Sequence, residues 1–279
     1  MNLTLEEITR VNRVQTEIYK NVAEACKKLD IKCFMVHGSL LGTVRNRGFV
    51  PFDDDIDIAI PREQYEKFIN EAPALLDSRY FVQSAETDEG YPLEFAKVRD
   101  SQTTYIVDSL SHVTMNHGIY IDVFPIENAS DSKWQRLKIA LLSTRILSVY
   151  KDKKPTGFSA RLKRFVAWLY CPSLKKAILK RGQALRKNKK SDKVTVYGGK
   201  GKERSIPWEW FGQGEMMQFE GIEAWAPKMY KEYLTHIYGD YESRTLVEGK
   251  MTEDGRVIMN ASIIDTEKPY TYYLEQEER

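Results

Sequence analysis

The sequence predicts an α/β protein, a mixed sheet with flanking helices that carries a basic helical appendage and an aromatic-rich C-terminal segment. Three observations predict it. Short aliphatic runs of strand length alternate with helical patterns over the first 130 residues. A long, strongly basic stretch with helical periodicity follows Pro125. The final eighty or so residues mix aromatic and polar positions without a sustained period and end acidic. No internal repeat interrupts this order.

The elements follow in turn. Thr4 with Glu7 three positions on forms a capping-box pattern, and Leu5, Ile8, Val11, Ile18, Val22, Ala25 and Leu29 make one apolar stripe, so residues 4–29 read as a helix. Cys33 to Val36 is a strand-length run closed by Gly38. A short helix is expected over Ser39 to Arg45, then a turn through Asn46, Arg47, Gly48 and Pro51. Asp53 to Ile60 alternates acid with aliphatic and reads as a strand. Pro61 suits the first position of a helix reaching Ala72. Further strands are expected at Tyr80–Ala85, Glu94–Arg99, Thr103–Val107 and Gly118–Phe124. Trp134–Tyr150 and Ser159–Lys190 read as helices, broken near Lys151, Pro155 and Gly157 and again at Pro172, and Gly198–Gly201 as a loop. These elements divide the chain into a catalytic core over residues 1–130, a basic helical segment over 131–204 and a C-terminal segment over 205–279 that completes the core.

Composition bounds the function. A chain of 279 residues with 42% hydrophobic content buries a sizeable core. It shows neither a secretory leader nor an apolar run long enough to span a bilayer, so the expected location is cytoplasmic. Cys26, Cys33 and Cys171 have neither disulfide nor zinc spacing. The net charge of +2 conceals a strong asymmetry. Between Lys133 and Arg204 stand 22 basic and three acidic residues, a local charge of +19, whereas the remainder carries −17. Such a segment points to an anionic partner.

The sharpest chemical feature is Asp53-Asp54-Asp55-Ile56-Asp57-Ile58-Ala59-Ile60. On a strand Asp55 and Asp57 share one face, with Asp54 and the isoleucines on the other. Paired carboxylates at this spacing suit Mg²⁺ or Mn²⁺, which take hard oxygen ligands and bridge phosphates. A solvated acidic edge strand is the alternative; a calcium loop lacks its glycine and closing glutamate. Gly38-Ser39, about fifteen residues upstream at a helix start, offers amides and a hydroxyl to a phosphate. Together the two motifs resemble the nucleotidyltransferase superfamily, whose members need a third carboxylate on a neighbouring strand. Asp122 is the candidate, being the one charged residue in Gly118–Pro125; a paired structural aspartate is the alternative.

The run from His37 through Gly38, Ser39, Arg45, Asp53, Asp54, Asp55 and Asp57 to Ile58 resembles the defining motif of the LicD family. That family groups bacterial phosphorylcholine transferases with fukutin-type ribitol-phosphate transferases. Lys97-Val-Arg-Asp100 and Ile121-Asp-Val-Phe-Pro125 match its following strands, and Tyr238-Gly-Asp-Tyr241 matches it more weakly. Phe52 and Ser39 replace the family's more usual Trp and Thr. The resemblance implies a nucleotidyltransferase fold and transfer of phosphocholine, or a related polyol phosphate, from a CDP-linked donor such as CDP-choline. The acceptor is then a hydroxyl of a cell-surface glycan, and CMP leaves. Asp55, Asp57 and Asp122 would hold the metal, with Asp122 alternatively the general base. Gly38, Ser39, Arg45 and Lys97 would bind substrate phosphate. Trp208, Trp210, Phe211, Trp225, Tyr230 and Tyr233 are numerous enough to box a quaternary ammonium, although such residues are commonly core.

Competing functions are nucleotide transfer to a sugar, phosphate or RNA acceptor, an RNA-binding protein and an inactive scaffold. No RNA-reading motif accompanies the basic segment, so no nucleic-acid partner is expected. Leu162, Phe165, Val166 and Leu169 form an apolar helix face among cations. The basic segment is therefore either a docking element for an anionic membrane, with a lipid-linked acceptor, or a lid packed on the core.

Overall fold

The computed structural model describes residues 1–130, 132–150, 155–187, 191–196, 205–243, 252 and 254–277. The chain opens with a short strand β1 (Asn2–Leu3) and helix α1 (Leu5–Lys28). The Thr4 hydroxyl accepts from Glu7 N at 3.2 Å while Glu7 Oε2 accepts from Thr4 N at 2.7 Å, so two of the amides left free at the helix start are satisfied reciprocally. Glu6 and Glu7 at the start and Lys27 and Lys28 at the end complement the helix dipole. Ile8, Val11, Gln15, Ile18, Tyr19 and Val22 form its buried face, which covers one side of the central sheet.

Strand β2 (Phe34–Met35) leads into helix α2 (His37–Asn46), and strand β3 (Asp57–Pro61) into helix α3 (Arg62–Glu71). The antiparallel strands β4 (Tyr80–Gln83) and β5 (Ala96–Asp100) follow, then β6 (Thr104–Val107) and the long β7 (Ile119–Asn128). Beyond the basic helices α4 (Lys133–Ile146), α5 (Phe158–Tyr170) and α6 (Leu174–Arg186) come β8 (Lys193–Thr195), β9 (Ile206–Pro207), β10 (Glu215–Phe219), β11 (Ile222–Ala226) and helix α7 (Tyr230–Tyr238). The described chain ends with β12 (Val257–Ile258), β13 (Ala261–Asp265) and α8 (Tyr270–Glu277).

The central sheet runs β10-β11-β2-β3-β7-β5-β4, with β8 and β9 continuing from the far end of β7. Its pairing is mixed: β3 lies parallel to β7, and β5 antiparallel to it. Side ladders join β13 to β6 and β1 to β12. Fold class is therefore the mixed α/β arrangement that the alternation of elements predicts. The sequence period missed the β10–β11 hairpin, because its Glu-Met-Met-Gln-Phe strand lacks clean alternation. A two-residue turn at Glu220 and Gly221, both at positive φ, closes it. Its tip holds the loop after α2, where Glu220 N donates to Arg47 O at 2.8 Å and Glu220 Oε1 accepts from Phe49 N at 3.2 Å.

Two further expectations need correction. The acidic strand begins at Asp57, not Asp53, because Asp53 N donates to Val50 O and Phe52 sits at φ 70°, which keeps residues 51–53 in a turn. Pro61 ends β3 and precedes α3 instead of opening it. The loop expected at Gly198–Gly201 lies outside the described residues.

The basic helices pack as a layer beside the sheet around a small separate core of Leu142, Ile146, Cys171, Ala177 and Ile178. Helix α6 is the inner member: Arg181 meets Glu94 at 2.8 Å with both side chains largely buried, and Lys175 and Arg186 reach Glu89 and Glu66. No helix among the described residues is long and apolar enough to cross a membrane.

The close approach of α2 to the loop behind it gives a stability prediction. A Cβ on Gly42 would stand 2.3 Å from Gly48 O and 3.0 Å from Val50 N. Gly42→Ala should therefore lower stability by about 1–3 kcal/mol in urea denaturation. Gly182→Ala, in α6 with nothing nearer than 3.6 Å, should be neutral or stabilising by up to about 1 kcal/mol. Equal effects of the two substitutions would contradict the packing described.

Candidate active site

The site is built on the register of three strands. In the pairing of β3 with β7, Asp57 stands opposite Asp122; in that of β7 with β5, Asp122 stands opposite Lys97. Laterally paired residues point to the same side of a sheet, so Asp57, Asp122 and Lys97 form one polar row. Their sequence neighbours Ile56, Ile58, Ile121 and Val123 are fully buried. The alternation thus feeds an apolar core on one side and concentrates charge on the other. Asp55 precedes the strand, but the pairing extends to its neighbour, since Asp122 N donates to Ile56 O at 2.8 Å. Carboxylate oxygens of Asp55, Asp57 and Asp122 lie within 4.8 Å of one another.

Helix α2 fixes this row from the other side. Ser39, only 2% exposed, accepts a hydrogen bond from Asp57 N at 2.8 Å, which pins the start of β3 to the first turn of the helix. Gly38 is required for a different reason. A Cβ there would lie 2.6 Å from Asp53 Oδ2, so the backbone of the turn runs directly against that carboxylate. His37, Gly38, Asp53, Asp55, Asp57 and Tyr238 are among the residues lining a cavity of about 250 Å³. Asp122 sits behind Asp57, 8% exposed, in a salt bridge with Lys97. Lys97 in turn lies over the Tyr120 ring at 3.4 Å.

Electrostatics follow from this crowding. Burial pushes the Asp55 carboxyl well above the usual range, and the negative charges of Asp53, Asp54 and Asp122 push it further. Burial and then Asp55 and Asp122 do the same to Asp57. Asp122 is also raised, chiefly by burial, while Lys97 opposes the shift. Burial lowers the Lys97 ammonium, and Asp122 offsets part of that effect. Two buried cations, Lys97 and beyond it Arg99, thus face a larger set of carboxylates. Converging hard oxygen donors with surplus negative charge fit a divalent cation such as Mg²⁺ or Mn²⁺.

Of the residues the sequence singled out, Asp55, Asp57, Asp122 and Lys97 converge, and Gly38 forms part of the wall. Ser39 spends its acceptor on the backbone of Asp57. Arg45 is elsewhere: its Nη1 donates to Tyr241 O at 3.2 Å, joining α2 to the Tyr-Gly-Asp-Tyr segment, and it does not line the cavity. Asp54 does not turn to the core face as strict alternation requires, because residues 53–56 precede the strand. Its carboxylate accepts from Tyr105 Oη at 2.7 Å and lies within 4.8 Å of those of Asp53 and Asp55. Of the aromatics considered for a box, Phe211 and Tyr233 are buried in the core, Trp225 lies under Lys32, and none lines the cavity. Sequence reasoning overlooked Asp53 and Tyr238 as cavity residues. The signals were present: Asp53 is two positions before Asp55, and Tyr238 opens the C-terminal motif.

Comparison with known proteins agrees with this picture of the chain. Residues 30–151 match the family described as LicD/FKTN/FKRP, nucleotidyltransferase domain. The match spans the strands β2, β3, β5 and β7 and helix α2. The chain is 27% identical over 230 residues to lipopolysaccharide cholinephosphotransferase LicD of Haemophilus influenzae, covering 77% of this chain and 84% of that protein. Uncharacterized proteins of Rickettsia prowazekii and Rickettsia typhi are each 45% identical over 47 residues, 17% of this chain and 18% and 15% of theirs.

Cation binding has a stability signature with a definite sign. Carboxyls whose folded-state pKa is raised contribute stability at low pH that is lost as pH rises through the folded value. The cation-free protein should therefore lose stability between acidic and neutral pH, and Mg²⁺ or Mn²⁺ should restore it, with a larger gain in Tm at neutral than at acidic pH. Asp55→Asn should raise the Tm of the cation-free protein at neutral pH and abolish most of the gain. A gain from Mg²⁺ that is the same at both pH values, or unchanged in the variant, would contradict the site.

Proposed function

As a member of the LicD family and a LicD-type transferase, the chain, we propose, moves phosphocholine from CDP-choline to a hydroxyl of a cell-surface glycan and releases CMP. The observation that carries the reading is the convergence of Asp55, Asp57 and Asp122, the first two on a cavity wall and the third behind them, within the segment that matches the family. The name of the Haemophilus relative supports phosphocholine as the transferred group and a lipopolysaccharide-type glycan as acceptor.

The chemistry is an in-line displacement at phosphorus. The acceptor oxygen forms a bond to the choline-bearing phosphorus, and the bond from that phosphorus to the oxygen bridging to CMP breaks, its electron pair leaving with CMP. Asp55, Asp57 and Asp122 would hold a Mg²⁺ or Mn²⁺ ion, which when bound neutralises diphosphate charge and lowers the pKa of the incoming hydroxyl. Lys97 opposes protonation of Asp122 and holds it in place through their salt bridge. The hydroxyl proton passes to a carboxylate at the wall. Asp53 stands there outside the cation set, and its place against Gly38 fixes its position. Ser39 and Gly38 act as positioning residues, one holding Asp57 and the other letting the helix backbone approach.

Purified protein with Mg²⁺ should release CMP from CDP-choline in the presence of a glycan acceptor, faster than from CDP-ribitol or CDP-glycerol. Asp57→Asn should fold normally and lose several kcal/mol of transition-state stabilisation, on the order of a thousandfold or more in rate. CMP release faster from CDP-ribitol would move the assignment to another donor. A pyrophosphate-type product with the nucleotide left on the acceptor would replace it with nucleotide transfer. Unimpaired turnover in Asp57→Asn would remove the carboxylate from the mechanism.

A further inference from the structure

Helix α5 is mounted with its apolar face outward. A surface helix ordinarily buries its apolar stripe and exposes its charges. Here the inward positions, spaced i, i+4 and i+7, are Ala160, Arg164 and Ala167, of which Ala167 alone is fully buried. Opposite them, spaced i, i+4, i+7 and i+11, stand Phe158, Leu162, Phe165 and Leu169, which are 81%, 49%, 55% and 57% exposed. Val166, Trp168 and Tyr170 flank this stripe and are exposed as well. Phe165 and Trp168 stack on each other at 6.2 Å, a surface pair that no other part of the described fold covers. Helix α5 packs on α4, and through it on α6, so it forms the outermost layer of the appendage.

Charge surrounds this stripe with one sign. From Lys133 to Arg186 the sequence has Asp152 as its one acidic residue against 15 lysines and arginines. Arg161 and Lys163 are exposed on α5 itself. A groove of about 310 Å³ beside the stripe is lined, among the described residues, by Arg145, Ser148, Pro155, Arg161, Arg164, Phe165 and Trp168. Arg145 and Arg164 are held there by backbone carbonyls, Arg145 Nη2 donating to Pro172 O at 2.7 Å and Arg164 Nη2 to Ser148 O at 2.6 Å. Hydrogen bonds to carbonyls fix the Arg145 guanidinium without cancelling its charge.

We propose that the outward face of α5 is a membrane-docking surface that lies flat in the interface of an anionic phospholipid bilayer. The 13 residues of the helix span about 20 Å, enough to seat the row from Phe158 to Leu169 among acyl chains at shallow depth. Arg161 and Lys163, exposed beside the row, then meet lipid phosphates. A second copy of the chain is a poor occupant, since apposing two such faces brings like charges together. The cavity containing Asp55 and Asp57 plays no part in this inference, so either conclusion stands if the other fails. Where both hold, docking brings the enzyme to a lipid-borne acceptor.

Co-sedimentation of the full chain with phosphatidylcholine vesicles, with and without phosphatidylglycerol, tests the proposal. The protein should bind the anionic vesicles and be released by high salt. Lys163→Glu should weaken binding at least about fivefold, the worth of one cation near such a surface. Phe165→Ser combined with Leu169→Ser should weaken it on the order of a hundredfold, by loss of buried apolar area. Because these side chains are exposed, the double variant should keep the wild-type Tm and far-UV circular dichroism. Were it to unfold, Lys163→Glu and a Trp168 fluorescence blue-shift on vesicle addition, measured in a Trp134→Phe, Trp208→Phe, Trp210→Phe, Trp225→Phe background, would decide the matter. Absence of binding to anionic vesicles, equal binding to neutral ones, or undiminished binding by the folded double variant would overturn it. So would a dimer in solution that the double variant dissociates, which would make the face a self-association surface.

Discussion

Everything at the site depends on a lateral row of charges in the middle of a sheet, with Asp122 set between Asp57 on one neighbour and Lys97 on the other. Burying a carboxylate is costly unless it is paired, and here Lys97, in a salt bridge with Asp122, and Arg99 behind it stand against a cluster of acids. The fold tolerates the row because the alternating residues Ile56, Ile58, Ile121 and Val123 are fully buried, with α1 packed on β7 and β5. Register is what makes this work. A slip of one residue between β3 and β7 would put Asp57 into that core and an isoleucine at the cavity.

The surrounding elements serve the same constraint. Gln15, buried on α1, donates to Asp54 O at 2.7 Å and to Tyr120 O at 3.2 Å, so the helix ties the acidic turn to β7. Ser39 holds the other end of that turn through Asp57 N, and the β10–β11 hairpin grips the loop that enters it through Glu220. The C-terminal hairpin, remote in sequence, therefore belongs to the scaffold of the N-terminal motif. Tyr238, following it on α7, completes the cavity wall.

Much of this was legible in the sequence where the signal is local. The capping box at Thr4 and Glu7, the stripe of α1 and the acid-aliphatic alternation of β3 and β7 each follow from neighbours a few residues apart. The convergence of Asp57 with Asp122 could be anticipated from a family resemblance but not from periodicity, because strand order is a tertiary property. Asp54 departs from alternation for a local reason, the turn at Pro51 and Phe52, which delays the strand to Asp57. Arg45 was expected at phosphate because it flanks the acids in sequence; from α2 it donates to Tyr241 O, a tertiary contact that sequence spacing does not show. The apolar face of α5 could be counted from its spacing, but periodicity does not say whether a stripe faces a core or the solvent; only the packing of Ala160 and Ala167 against the neighbouring layer does.

The central claim is that the three converging carboxylates form one divalent cation site that the transfer reaction uses. Titration of Mn²⁺ into the protein, with free ion followed by electron paramagnetic resonance, tests it most directly when wild type is compared with Asp122→Asn. The account predicts saturable binding to the wild type, displaced by Mg²⁺, and weakened on the order of ten- to a hundredfold in a variant that keeps the fold. Equal Mn²⁺ affinity in the two proteins, or no saturable site in the wild type, would contradict it.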